Sequence, residues 1–153
     1  MISGKTLSGL AAGMAVLGFG VTMAFAAADD TIKARQACMK AHGGEFAVIQ
    51  PIMKGEKPYD AAALKTAYDA ADAACADYAN FWGEDTKTGE TVETFAKEEI
   101  WTDAEGFKAA GGAFWEAYQA VRNAADEAAF KAAVPEMGKQ CGACHEKYRR
   151  PKG

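Results

Sequence analysis

After residue 28, apolar side chains recur three and four positions apart in four separate stretches, and nowhere do they alternate with period two. On an α-helix that spacing stacks them into one stripe, whereas on a strand it would scatter them over both faces. The first stretch gives Ile32, Met39, Phe46, Ile49 and Met53, with Arg35 and His42 on the same stripe. The second gives Leu64, Tyr68, Ala71, Cys75, Tyr78 and Trp82. The third gives Phe107, Gly111, Phe114, Tyr118, Val121 and Ala125, and the fourth Phe130, Val134, Met137, Cys141, Cys144 and Tyr148. Each stripe needs a partner surface, and four of them satisfy one another in an all-α, antiparallel four-helix bundle.

Local chemistry sets the expected boundaries. Asp30 or Thr31 is a candidate cap for the first helix, Gly55 and Pro58 its stop, and Asp60 the cap of the second. Thr102 and Glu105 have the capping-box spacing, which puts the third helix at about Asp103 to Ala124, and Asp126 can cap the fourth. Pro51 and Pro135 fall inside helical patterns, where each removes a backbone donor and should kink the helix or mark an irregular turn. Gly83 to Ile100 is the one long connection, so it crosses the bundle, and the short links on either side join antiparallel neighbours.

The N-terminal stretch is of another kind. Lys5 precedes an uncharged run of small and apolar residues ending in Ala24-Phe25-Ala26. Residues 1–28 read as a signal peptide cleaved after Ala26 or Ala28, rather than as a membrane anchor, and the product, residues 29–153, is a single domain exported to a periplasm. Loss of Lys5 takes the formal charge from −4 to −5. A mildly acidic chain without a basic stripe excludes nucleic acid as a partner, and no second apolar span suggests membrane insertion.

Near the C-terminus stands "QCGACHEKYRR", Gln140 to Arg150. On a helix, Cys141, Cys144 and His145 share a face. That placement lets two thiols form thioethers with the vinyl groups of one haem while the imidazole reaches its iron, and the sequence is that of c-type haem attachment. A redox dithiol of the thioredoxin kind needs strands around it, and none is visible. A structural zinc needs four ligands, and only Cys38, Cys75 and His42 remain, spread over other helices. One motif implies one covalent haem c.

With "CGACHEKYR" at its end, "RQACMKAHGG" early and "EIWTDAEGFKAA" in the middle, the chain resembles the cytochrome c′ family, including its low-spin, methionine-ligated branch. The resemblance spans essentially all of residues 29–153. It implies a haem set between the helices, His145 as proximal ligand, and a periplasmic redox or gas-binding role without enzymatic turnover. By the same resemblance Arg35 pairs with a haem propionate, Met39 lies over the distal iron face, and Arg149 borders the proximal pocket. If the Met39 sulfur binds iron, the expected function is electron transfer with periplasmic redox proteins as partners; the alternative is an open distal face that takes nitric oxide or carbon monoxide. Relatives that dimerise make a homodimer a further expectation.

His42 is the other histidine and the one candidate for a distal acid/base; the ordinary expectation for it is a partly exposed helical histidine. Lys147, Arg149, Arg150 and Lys152 either complement the negative end of the last helix or form a docking rim. Cys38 and Cys75 are symmetric about the turn at Gly55 to Pro58, their midpoint falling between residues 56 and 57. In an antiparallel pair they stand at one level, and an exported setting favours a disulfide between them.

Overall fold

The structure is a computed structural model that describes residues 19–151, with side chains from residue 27 onward. Residues 1–18 of the expected signal peptide, and Lys152, lie outside the described residues. Five helices follow in order: α1 (Phe19–Met53), α2 (Ala61–Ala74), α3 (Glu99–Thr102), α4 (Ala104–Arg122) and α5 (Glu127–Tyr148). The four long ones form the bundle, with α1 packed on α2 and α4 on α5. Among the described residues there is no strand, only an isolated bridge between Ala96 and Arg149, and no helix is long and apolar enough to cross a membrane.

Most helix ends are where side-chain chemistry puts them. Asp60 Oδ1 accepts from the amides of Ala62 and Ala63, each at 3.0 Å, and Asp126 Oδ1 accepts from that of Ala129 at 2.9 Å. After α1, Gly55 takes φ +72°, a left-handed conformation that costs glycine little, and its amide bonds to Ile52 O at 3.1 Å. Pro51 and Pro135 are both held inside helices, so neither ends its helix on the spot.

Two boundaries differ from expectation. Helix α1 does not begin at Asp30 or Thr31; an alanine-rich run of strong helix formers carries it upstream through Ala26 and Ala28. Thr31 Oγ1 instead bonds back to Ala27 O at 3.0 Å, four residues earlier. The N-cap of α4 is Asp103, whose carboxylate accepts from Gly106 N at 3.3 Å, while Thr102 closes the one-turn α3. Helix α2 also stops at Ala74, short of its apolar pattern: Tyr78 and Trp82 lie beyond it, in and after a 3-10 turn at Tyr78–Asn80.

The apolar core fills one end of the bundle. Ile49, Ile52, Leu64, Tyr68, Tyr118, Val121, Phe130 and Met137 meet there, beside the short α1–α2 and α4–α5 links. At the other end the long connection wraps over α1 and the end of α5. Asp29 accepts from the amides of Glu90 at 2.8 Å and Thr91 at 3.0 Å, and Gln36 Nε2 donates to Glu93 O at 2.7 Å. Gly89 is required at this crossing, because a Cβ there would collide with the Asp29 carboxylate. On the far side Lys97 N bonds Tyr148 O at 3.0 Å and Arg150 N bonds Phe95 O at 2.7 Å.

Candidate haem site

Cys141, Cys144 and His145 lie in the last two turns of α5, one turn beyond the core residue Met137. All three are half-buried. Burial pushes both thiols up, Cys141 further affected by its neighbour Cys144, while burial and the nearby Arg149 guanidinium hold the His145 imidazole low and neutral. A neutral imidazole is the form that ligates a metal. Cys141 and Cys144 are not bonded to each other, whereas the other two cysteines are joined. Among the described residues, Cys141, Cys144 and His145 do not converge on a point as chelating donors do. They are spread along one face of the helix, as attachment at two separate carbons plus one axial bond demands.

Helix α1 faces this motif. Phe46 and Ile49 of α1 share the core with Met137 of α5, one turn before Cys141, and the Glu45 charge adds a little to the upward push on the Cys141 thiol. Two turns before Glu45, Met39 is 38% exposed, although it lies on the stripe of Ile32 and Ile49, which are fully buried. Arg35, one turn before Met39, is only 5% exposed. Its Nη1 donates to Phe81 O at 3.2 Å, and its Nη2 to Thr86 O at 3.1 Å and Thr94 Oγ1 at 3.0 Å. Three of its five donors thus organise the long connection, leaving two for an anion.

The guanidinium carbon of Arg35 sits 4.9 Å from the centre of the Trp82 ring. The buried Trp82 Nε1 is directed toward the Tyr78 hydroxyl but makes no sound hydrogen bond. An unpaired buried N–H beside a cation with spare donors is a site that a carboxylate would satisfy, and haem carries two. Trp82 also packs edge-on to Phe107 at 4.7 Å, and Phe107 to Tyr148 at 5.1 Å, so an aromatic row runs from Arg35 to the end of α5. Tyr78 lies close enough to Cys144 that burial and the thiol push its hydroxyl up to about 12. Chemically, the residues present fit a haem held at this end of the bundle.

The cytochrome c′ family model matches residues 30–149. The chain belongs to the cytochrome c′ family. It is 36% identical over 125 residues to the cytochrome c′ of Cereibacter sphaeroides, covering 80% of this chain and 84% of that one. It is 31% identical to cytochrome c-556 of Agrobacterium tumefaciens strain II Chrys, covering 79% and 98%. Among solved structures, a single-site mutant of cytochrome c prime from Alcaligenes xylosoxidans in complex with nitric oxide superposes with a TM-score of 0.70. That protein is 32% identical, and the match covers 82% of this chain and 97% of that one. As a cytochrome c′ the chain carries one covalent haem c with its iron.

Around this cytochrome c′ motif Trp115 is 53% exposed on α4, while Phe81 is 3% exposed and its carbonyl accepts from Arg35. Two of the cations after the haem motif are engaged within the protein. Lys147 pairs with Asp103, and Arg150 bonds to Thr94 O in the long connection. Arg149 ends α5 through its amide, which donates to His145 O at 3.0 Å.

His42 is a partly exposed helical histidine, as expected, and its ring is held by specific neighbours. Its Nδ1 lies 2.9 Å from Glu45 Oε2, its Nε2 lies 3.6 Å from Cys75 Sγ, and its ring meets Phe114 and Tyr118 edge-on. The Cys38–Cys75 disulfide expected from symmetry is present, with its Cα atoms 4.8 Å apart. Glu45, 2% exposed, accepts from the Tyr118 hydroxyl as well. No motif draws attention to Glu45, yet a signal exists. It stands three after His42 and four before Ile49, a carboxylate on an apolar stripe.

Proposed function

We propose that this protein is an exported, periplasmic electron-transfer cytochrome. In this reading Cys141 and Cys144 hold the haem through thioethers, His145 is the proximal ligand, Met39 the sixth ligand, and Arg35 a propionate partner. Haem c supplies a reversible one-electron ferric/ferrous couple. The observation that carries the reading is Met39: a thioether 38% exposed on a stripe whose Ile32 and Ile49 are fully buried, one turn from the buried Arg35.

Each residue has a distinct task. His145 presents a neutral imidazole because burial and Arg149 disfavour its protonation. Met39 follows Cys38 directly, so the disulfide to α2 holds its turn and limits how far the sulfur can swing away. Retaining both ligands in both oxidation states keeps rearrangement small, which suits fast exchange with a redox partner protein. Arg35 fastens the long connection while two of its donors remain for a carboxylate. Export through residues 1–28 is supported by the Lys5 start, the Ala-x-Ala ending and a disulfide that suits an oxidising compartment.

A second reading is favoured by one finding, that a similar cytochrome c prime has been solved with nitric oxide bound. There Met39 only packs over the distal face, and the protein binds a small gas. Visible and electron paramagnetic resonance spectra of the purified haem protein decide. The carrier reading expects a low-spin ferric signal, a methionine-to-iron charge-transfer band and no rapid carbon monoxide binding by the ferrous form. A high-spin ferric signal without that band overturns it in favour of gas binding.

A further inference from the structure

Cys38, Cys75 and His42 are spread over two helices in the sequence, yet their donor atoms all lie within 4.8 Å of one another. The geometry points to a second metal site, formed when the Cys38–Cys75 disulfide is opened: a zinc site of two thiolates and one imidazole, separate from the haem. Two sulfurs and one nitrogen are donors that a zinc ion takes in a tetrahedral site, with water in the fourth place.

The surroundings are those of a metal-ligating histidine. With Nδ1 donating to Glu45 Oε2 at 2.9 Å, the His42 tautomer is fixed and the Nε2 lone pair is turned toward Cys75 Sγ at 3.6 Å. Glu45 is itself held by the Tyr118 hydroxyl, and the edge-on rings of Phe114 and Tyr118 set the plane of the imidazole. The site is also reachable. Cys38 is fully buried, but Cys75 is half-buried and His42 keeps 19% of its side chain exposed, so the open side lies along these two residues. Cys75 is the residue that closes α2, with φ −105° and ψ 9°, and a helix end adjusts more readily than a middle turn. Its Cα lies 4.8 Å from that of Cys38, so both sulfurs stay on facing turns after the bond is broken.

The reductant is a dithiol. One of its thiolates attacks the accessible Cys75 sulfur and Cys38 leaves as thiolate; the second dithiol sulfur then closes a ring and releases Cys75. The protein disulfide gains two electrons and two protons, and the dithiol becomes a cyclic disulfide. Zinc then replaces the two thiol protons.

The test uses haem-loaded protein, half of it treated with dithiothreitol and desalted without oxygen. Both halves are titrated with Zn2+ against a chromophoric chelator. The reduced protein should take up one zinc that the oxidised protein does not. His42→Ala and Glu45→Gln should each weaken binding by about 10-fold or more, the range for loss of a ligand or its supporting partner. Cys75→Ser should abolish it. Equal uptake by the oxidised and reduced forms, or wild-type affinity in both Cys75→Ser and His42→Ala, overturns the site. The oxidised-against-reduced comparison needs no substitution, so a misfolded variant does not rescue the proposal. Retention of the haem by the denatured polypeptide tests the haem reading separately: its loss would show Cys141 and Cys144 unattached, whatever the zinc result.

Discussion

Replacing Cys38 and Cys75 together by alanine removes a cross-link that closes a loop of 37 residues between α1 and α2. In the chain-entropy account, a loop of that length restricts the unfolded chain by about 4 kcal/mol at 25 °C. Little in the folded state offsets the loss, because the two helices are already tied by Ile49, Ile52, Leu64 and Tyr68 in the core and keep the same packing. A domain of this size has an unfolding entropy near 2 cal/mol/K per residue, so the loss corresponds to about 15 °C in Tm. Thermal unfolding of the haem-loaded double variant by far-UV circular dichroism measures it directly. The same sample answers a second question, since Cys38 precedes Met39. If the disulfide holds the Met39 turn, the variant's ferric spectrum should gain a high-spin fraction. A Tm within about 3 °C of wild type would refute the entropic reasoning and show that α1 and α2 stay paired in the unfolded chain.

Met39→Ala should convert the ferric haem to high spin and open it to carbon monoxide; an unchanged spectrum would show that Met39 never bound iron. Arg35→Ala leaves the Thr86 carbonyl without its guanidinium donor, while Phe81 O keeps the Thr86 hydroxyl, and should cost about 1–3 kcal/mol in urea unfolding while exposing the 81–98 connection to proteolysis. Asp29 has its carboxyl held below the usual range by the Thr91 hydroxyl and the amides of Thr91 and Glu90. Its folded pKa is depressed, so its contribution is present above the ordinary carboxylate value near 4 and is lost as pH falls through the folded pKa. Hydrogen exchange at Glu90 and Thr91 should therefore accelerate below about pH 4 in wild type, and should be fast and pH-flat, apart from the intrinsic rate, in Asp29→Asn.

Three features of the protein are legible in its amino-acid sequence alone. Apolar residues at helical spacing set the four long helices, because burial of a stripe is a local pattern. Asp60, Asp126 and Gly55 set three of the helix ends, since capping depends on residues only a few positions away. Cys-x-x-Cys-His sets the cofactor, because one turn of helix brings all three groups onto one face whatever surrounds it. Even the disulfide follows from counting about a single turn.

What escapes the sequence involves partners far apart in the chain. The long connection reads in the sequence only as a crossing of the bundle, and it is Arg35, reaching 46 to 59 residues ahead, and Asp29, reaching 61 and 62, that fasten it. Helix α1 runs past its expected cap because a capping side chain terminates nothing unless the backbone also turns; Thr31 bonds back to Ala27 O and Asp30 pairs with Lys33 instead. Trp82 lies on an apolar pattern, but it falls beyond the end of α2 and packing sets it against Arg35. The Cys38–Cys75 pair is legible, but that His42 turns its ring to Cys75 while holding Glu45 is decided by the packing of α1 on α2. The sequence by itself therefore determined the helices and the haem attachment, which depend on spacing within a few turns. The tertiary structure alone decided which charged groups are buried and what they hold, because a buried charge is defined by neighbours that no local pattern announces.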